Sequence, residues 1–181
     1  MGAKTCYIQP DEITMAYLKE KVTDDYEIVF SDPDFRYAEE LTFDVTSIKP
    51  QLAAPSSVDN VFDLVQYIGT PIQQAYLGSC TGGRVEDLAI AAKILQGKTI
   101  HPRSRFVIVP ASKGVFLEAM QKGLVQTLVS AGATFVTPGC AACLGTHEGI
   151  IASGETCIST TNRNFPGRMG HTESKIFLGS P

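Results

Sequence analysis

The run RFVIV, residues 105–109, is apolar at every position after the first. A strand with one face in water alternates polar and apolar residues, so an unbroken run this short marks a strand buried on both faces, as in a parallel sheet. QAYLGSC (74–80) and TFVTPG (134–139) are candidate strands of the same sheet. The segments around them, VEDLAIAAKILQG (85–97) and GVFLEAMQKGLVQTLVSAGA (114–133), read as helices, the first with Val85, Leu88, Ala92 and Leu95 turned inward. Strand, helix, strand, helix, strand at this spacing predicts right-handed βαβ units and the α/β class, as a three-layer α/β/α domain with a mainly parallel sheet. SSVDNVFDLVQYIG (56–69) adds an expected helix, with a serine N-cap, acids in the first turn, the stripe Val58, Val61, Phe62 and Val65, and a terminal glycine.

The first fifty residues read differently, as a small α+β segment. PDEITMAYLKEK (10–21) predicts a helix with Ile13, Tyr17 and Leu18 on one stripe. Two short strands are expected at Glu27–Phe30 and Leu41–Val45, separated by the turn signal Asp32-Pro33-Asp34. SIKPQLAAPSS (47–57) reads as a linker, since Pro50 and Pro55 disfavour helix in the residues before them. The expected division is therefore an amino-terminal segment with its linker, 1–55, and an α/β domain, 56–181.

Composition excludes several classes. With 181 residues, 44% hydrophobic and 19% charged, the chain can bury a full core. A net charge of -4 and a pI near 5.3 give no general field for nucleic acid. The start, MGAKTCYIQPDE, lacks the basic residues and apolar core of a leader, and no run approaches the ~18 apolar residues of a membrane helix. Cys6 stands where a myristoylation signal needs Ser or Thr. These features predict a cytoplasmic protein that engages neither membrane nor nucleic acid.

Five cysteines are too few and too odd in number for a disulfide scaffold. Two of them, Cys140 and Cys143, lie three apart in TPGCAACLG (137–145), directly after a predicted strand and between Gly139 and Gly145. Such a pair can hold a metal, act as a redox couple or fill a loop with small side chains. A redox pair usually opens a helix near the first βαβ unit, and a zinc ion would require a fourth ligand, for which His147 and Cys157 are the nearest candidates. Cys80 follows the strand ending near Gly78, so it shares the carboxyl edge of the predicted sheet with the pair, where ligands collect in open α/β folds. Three thiolates fit an iron-sulfur cluster with one iron left open as a Lewis acid.

YLGSCTGGRVEDLAIAA (76–92), PGCAACLGTHEG (138–149), STTNRNFPGRMG (159–170) and FLGSP (177–181), with GAKT, DEITMAYL and APSSVDNV before them, together resemble the aconitase superfamily, and within it the 3-isopropylmalate dehydratase large-subunit and homoaconitase group. The resemblance covers the whole chain and implies a 4Fe-4S cluster on Cys80, Cys140 and Cys143. It also implies that Arg163 and Arg168 bind substrate carboxylates, as bidentate guanidinium groups are suited to do, with Asn162 beside the cluster. The activity implied is a hydro-lyase that dehydrates and rehydrates a hydroxy di- or tricarboxylic acid, 3-isopropylmalate in leucine biosynthesis, with homocitrate-type and dimethylmalate-type acids as alternatives. The chain is then expected to be a large-subunit fragment, inactive alone, lacking an amino-terminal part and a small swivel-domain subunit, with its catalytic base unknown. Gly82 stands where many members carry asparagine, and CAAC where many carry CGPC or CSMC; neither change removes a thiolate. A redox or binding module that merely carries a cluster and a zinc-stabilised structural domain are the rival classes. Cys6 and Cys157 match no ligand position and are expected to be small buried residues; His101, His147 and His171 share no spacing.

Overall fold

The computed structural model describes residues 5–181 and divides into two compact units, up to Ile48 and from Lys49 onward. Most of the GAKT stretch lies outside the described residues. In the first unit α1 spans Glu12–Lys21, with the Asp11 carboxylate accepting from the Thr14 N–H at 2.8 Å at its start. No residue of α1 is buried, and Ile13 and Tyr17 are 78% and 57% exposed, so of the expected stripe only Leu18 is partly covered. The turn at Asp32-Pro33-Asp34 forms, with Phe35 N–H donating to Asp32 O at 3.0 Å. The strands expected at 27–30 and 41–45 do not form. Both stretches are irregular and exposed, and a segment becomes a strand only when another pairs with its backbone.

The second unit holds a seven-stranded sheet in the order β2-β1-β7-β6-β3-β4-β5. The strands are β1 (Gln51–Ala53), β2 (Val61–Asp63), β3 (Gln74–Gly78), β4 (Arg105–Val109), β5 (Thr134–Phe135), β6 (Thr156–Ser159) and β7 (Lys175–Leu178). From β7 to β5 all neighbours are parallel, and β1 joins β7 and β2 antiparallel. β1 occupies part of the expected linker: Leu52 and Ala54 are 4% and 2% exposed, packed with Phe177. The helix expected from Ser57 is absent for the same reason. Leu52 pairs with Phe62 across β1 and β2, and only one 3-10 turn, Leu64–Tyr67, follows, with the Tyr67 ring edge-on to Phe62 and Phe177. Pairing and aromatic packing outweigh a helical pattern that propensity alone supports only weakly.

Helix α3 (Val85–Leu95) forms as expected, with Val85, Leu88 and Ala92 buried and Asp87 accepting from the Arg84 N–H at 2.9 Å. The next helix is two, α4 (Lys113–Gln121) and α5 (Leu124–Ser130), broken where Gly123 takes a left-handed φ of 70°. These helices cover one sheet face through Leu77, Leu88, Ile108 and Leu128. The segments on either side of β6, 137–155 and 160–170, cover the other through Ala141, Ala142, Cys143, Ile151 and Met169, packed on Tyr76, Val107 and Val109. The alternation of β3 and β4 between these two sets is the two-faced burial that RFVIV predicted.

At the amino ends of the central strands, Arg105 donates twice to Glu155, at 2.9 and 2.6 Å, and through Nε to Gln74 at 3.0 Å. The fully buried Gln74 passes the link to the Gly149 carbonyl at 2.7 Å. The Arg105 guanidinium holds the Glu155 carboxyl below its usual range. A depressed carboxylate contributes stability above its unfolded pKa and loses it as pH falls through the folded one. With Arg105 half exposed and partly screened, Glu155→Gln is expected to cost about 1 kcal/mol at pH 7. The difference between the two proteins should shrink below about pH 4. Paired thermal melts across that range check it; a gap that persists at low pH counts against the ion pair.

Candidate functional site

β3 delivers Cys80 through a sharp bend. Gly78 has φ 145°, and a Cβ there would stand 2.2 Å from the Val109 carbonyl oxygen. Ser79 follows at φ 55°, opening the four-residue helical turn α2 (Ser79–Gly82), in which Cys80 is exposed. Thr160, just past β6, clamps this turn: its hydroxyl accepts from the Gly78 N–H at 2.8 Å and donates to the Gly82 carbonyl at 3.2 Å. A Cβ at Gly82 would meet the Thr160 side chain at 2.5 Å, so glycine at this position and Thr160 fit one another.

Cys140 caps the start of a 3-10 turn, Ala141–Leu144, that follows β5, and Cys143 lies within it. The Cys143 N–H donates to the Cys140 carbonyl at 2.9 Å, and Cys143 is 5% exposed while Cys140 is exposed. Ala141 between them has φ 45°, a left-handed value that costs a residue with a Cβ about 1–2 kcal/mol. The surroundings hold it there: the Thr146 hydroxyl donates to Ala141 O at 3.2 Å, and the Tyr76 hydroxyl donates to Cys140 O at 3.0 Å. Burial, and next the neighbouring Cys143, push the Tyr76 phenol well above its usual range, so it stays a donor.

The third segment is 159–170. Arg168 lies with Nη2 3.8 Å from Cys143 Sγ and its guanidinium 5.7 Å from the Phe165 ring centre. Asn162 and Arg163 are exposed, and Arg163 Nη1 donates to the Asn162 carbonyl at 2.7 Å. The sequence reading missed Asn164. It is 2% exposed, and its amide donates to Ala54 O at 2.9 Å and Ile176 O at 3.2 Å, fastening this segment to β1 and β7. An asparagine within a run of polar residues carries no signal of burial.

Cys80, Cys140 and the 159–170 segment thus all follow carboxyl ends of parallel strands. Among the described residues, however, no three His, Cys, Asp or Glu side chains gather closely enough to hold a metal ion. The chemistry of the donors nevertheless suits an iron-sulfur cluster: three free thiols on one edge, with Ser79 Oγ beside Cys80 and Arg168 Nε beside Cys143 both buried without a hydrogen-bond partner. Cys157 is fully buried in β6, and burial pushes its thiol up to about 12, which leaves it inert. Cys6 is exposed, contrary to expectation, because its unit offers no core. His147 turns to Glu148 at 3.1 Å, while His101 and His171 accept from the N–H groups of Arg103 and Glu173. No helix among the described residues is long and apolar enough to cross a membrane.

Fold and site define a mainly parallel α/β domain whose carboxyl edge carries three thiols and two arginines. The profile of the aconitase family (aconitate hydratase) matches residues 65–181. The large subunit 1 of 3-isopropylmalate dehydratase from Methanopyrus kandleri is 46% identical over the whole chain, which covers 43% of that protein. A 3-isopropylmalate dehydratase large subunit from Hydrogenobaculum is 48% identical over 99% of the chain and 42% of its own length. A probable methanogen homoaconitase large subunit from Methanosarcina mazei is 46% identical over the whole chain and 46% of its own length. The chain belongs to the aconitase family, and it spans less than half the length of these relatives.

Proposed function

We propose that this chain is the cluster-bearing part of a hydro-lyase large subunit that dehydrates and rehydrates a hydroxy di- or tricarboxylate. The observation that supports this most directly is the set of three free thiols after parallel strands, with a guanidinium 3.8 Å from one of them. Cys80, Cys140 and Cys143 are the residues that would hold a 4Fe-4S cluster. When bound, such a cluster supplies an open iron, a Lewis acid for a substrate hydroxyl and carboxylate. Arg168 and Arg163 orient the remaining carboxylates through charged hydrogen bonds, and Asn162 lies beside the cluster. Arg168 is the better placed of the two, since its guanidinium lies over the Phe165 ring and beside Cys143 and its buried Nε keeps a donor free. The exposed Arg163 gains its role when substrate and the rest of the enzyme cover it.

The substrate is 3-isopropylmalate in this reading, the acid named in two of the relatives above, with a homoaconitase-type acid as the alternative carried by the third. The proton-transfer base and the cover that excludes water belong to the remainder of the large subunit and to a small subunit, in a cytoplasmic enzyme of leucine biosynthesis. Anaerobic reconstitution with iron and sulfide, followed by metal analysis, tests the cluster. Expected is a brown, oxygen-sensitive chain holding iron and acid-labile sulfide; zinc without sulfide would overturn the reading in favour of a structural metal. Hydratase assays are expected to show turnover only after the remainder of the enzyme is added. Robust turnover by the 181-residue chain alone would place a base within it.

A further inference from the structure

Tyr76 lies in β3, four residues before Cys80, and is 1% exposed among Val107, Val109, Ala142, Cys143 and Met169. Phenylalanine would fill the same space, so packing does not account for the hydroxyl. A buried hydroxyl persists where it has a partner, and here the partner is the Cys140 carbonyl at 3.0 Å. That carbonyl also takes the Cys143 N–H, the bond that spans the two cysteines. Of the two residues enclosed by this bond, Ala141 and Ala142, the first holds an unfavourable left-handed conformation. A strained turn keeps its shape only when its surroundings over-determine it.

We propose that Tyr76 is a positioning residue for the cysteine pair: its hydroxyl reaches from the strand that ends in Cys80 and braces the Cys140 carbonyl, fixing the turn that spaces Cys140 and Cys143. One strand then sets all three thiols, Cys80 through the backbone and the other two through a single phenol. The brace acts before anything binds, and its bearing on a cluster rests on the function proposed above. Removing the hydroxyl leaves the Cys140 carbonyl with the Cys143 N–H, so Tyr76→Phe deletes the brace without stranding an acceptor.

The test compares alkylation rates of each cysteine by iodoacetamide in the reduced, metal-free chain, read by mass spectrometry. In Tyr76→Phe, Cys140 and Cys143 are expected to react about fivefold faster, the factor that corresponds to one neutral hydrogen bond, while Cys80 and Cys6 keep their rates. Ile108→Val, which trims the helix-covered face, serves as a control for general loosening and should leave Cys140 and Cys143 unchanged. Unchanged rates in Tyr76→Phe, or equal acceleration in Ile108→Val, would overturn the brace. Should Tyr76→Phe fail to fold, hydrogen exchange in the unsubstituted chain decides: slow exchange of the Cys143 amide supports a braced turn, and exchange as fast as in the exposed loop at 162–163 overturns it. After reconstitution, the visible band of the variant should decay about fivefold faster in air and the EPR line shape of its dithionite-reduced cluster should change, for the same one-bond reason. If the alkylation result holds while the unsubstituted chain binds no cluster, the proposed function fails and the brace stands.

Discussion

Replacing Cys80 with serine is expected to reduce the iron and sulfide that the reconstituted chain retains by about tenfold or more, because a cubane held by three thiolates loses one of its three protein ligands. The visible absorption should disappear with it. The substitution is nearly isosteric and falls on an exposed side chain in α2, so the fold should survive and loss of cluster can be read as loss of a ligand. Cys140→Ser and Cys143→Ser should behave alike. Cys6→Ser and Cys157→Ser are the controls. Cys6 lies in the other unit, and Cys157 is sealed in β6, where serine costs stability by burying a hydroxyl and leaves the carboxyl edge intact. Normal cluster content in Cys80→Ser would sink the ligand assignment.

Gly78→Ala should strongly impair folding. The new Cβ would stand 2.2 Å from the Val109 carbonyl oxygen and 2.9 Å from two further backbone atoms of Val109, all inside the sheet, so no side chain can swing away. The φ of 145° adds a conformation that essentially only glycine adopts. Together these should cost about 4 kcal/mol or more, a large share of the roughly 5–15 kcal/mol that holds a domain folded. Gly97→Ala is the matched comparison. It also has a positive φ, 71°, yet no atom lies within 4 Å of the added methyl, so about 1 kcal/mol is expected. Chemical denaturation of both variants checks the contrast; similar losses would show that backbone conformation, rather than the approach of β4, fixes Gly78.

The parts of this fold that could be read in advance are those whose burial leaves a pattern in a short window: the unbroken apolar run of β4, buried on both faces, and the one inward stripe of α3 at helical spacing. β6 and β7 escaped because TCIS is half polar and each strand has four residues; Thr156 and Ser159 are nevertheless buried, the Thr156 N–H donating to Gln73 Oε1 and the Ser159 hydroxyl pairing with that of Thr161. The helix expected from Ser57 failed through an interaction no local window contains, the pairing of residues 61–63 with 51–53. At the site, residue spacing and the order of strands pointed to the edge where Cys80, Cys140 and Cys143 lie. Tyr76 and Asn164 were invisible. Each works through a backbone carbonyl distant in sequence, and a carbonyl leaves no mark on residue identity.

The order of the sheet also bears on how the chain is made. Gln73 and Thr156, joined by a hydrogen bond beside β3 and β6, are 83 residues apart, and β6 and β7 are inserted between the first strands and the third. While a ribosome is still translating the middle of this chain, β3 has an open edge that only residues 156–159 can close. An unpaired edge flanked by apolar side chains is a template for self-association, and topologies that depend on such distant pairings close slowly. A nascent chain stalled before residue 156 would therefore hold its cysteines on a sheet that lacks its middle.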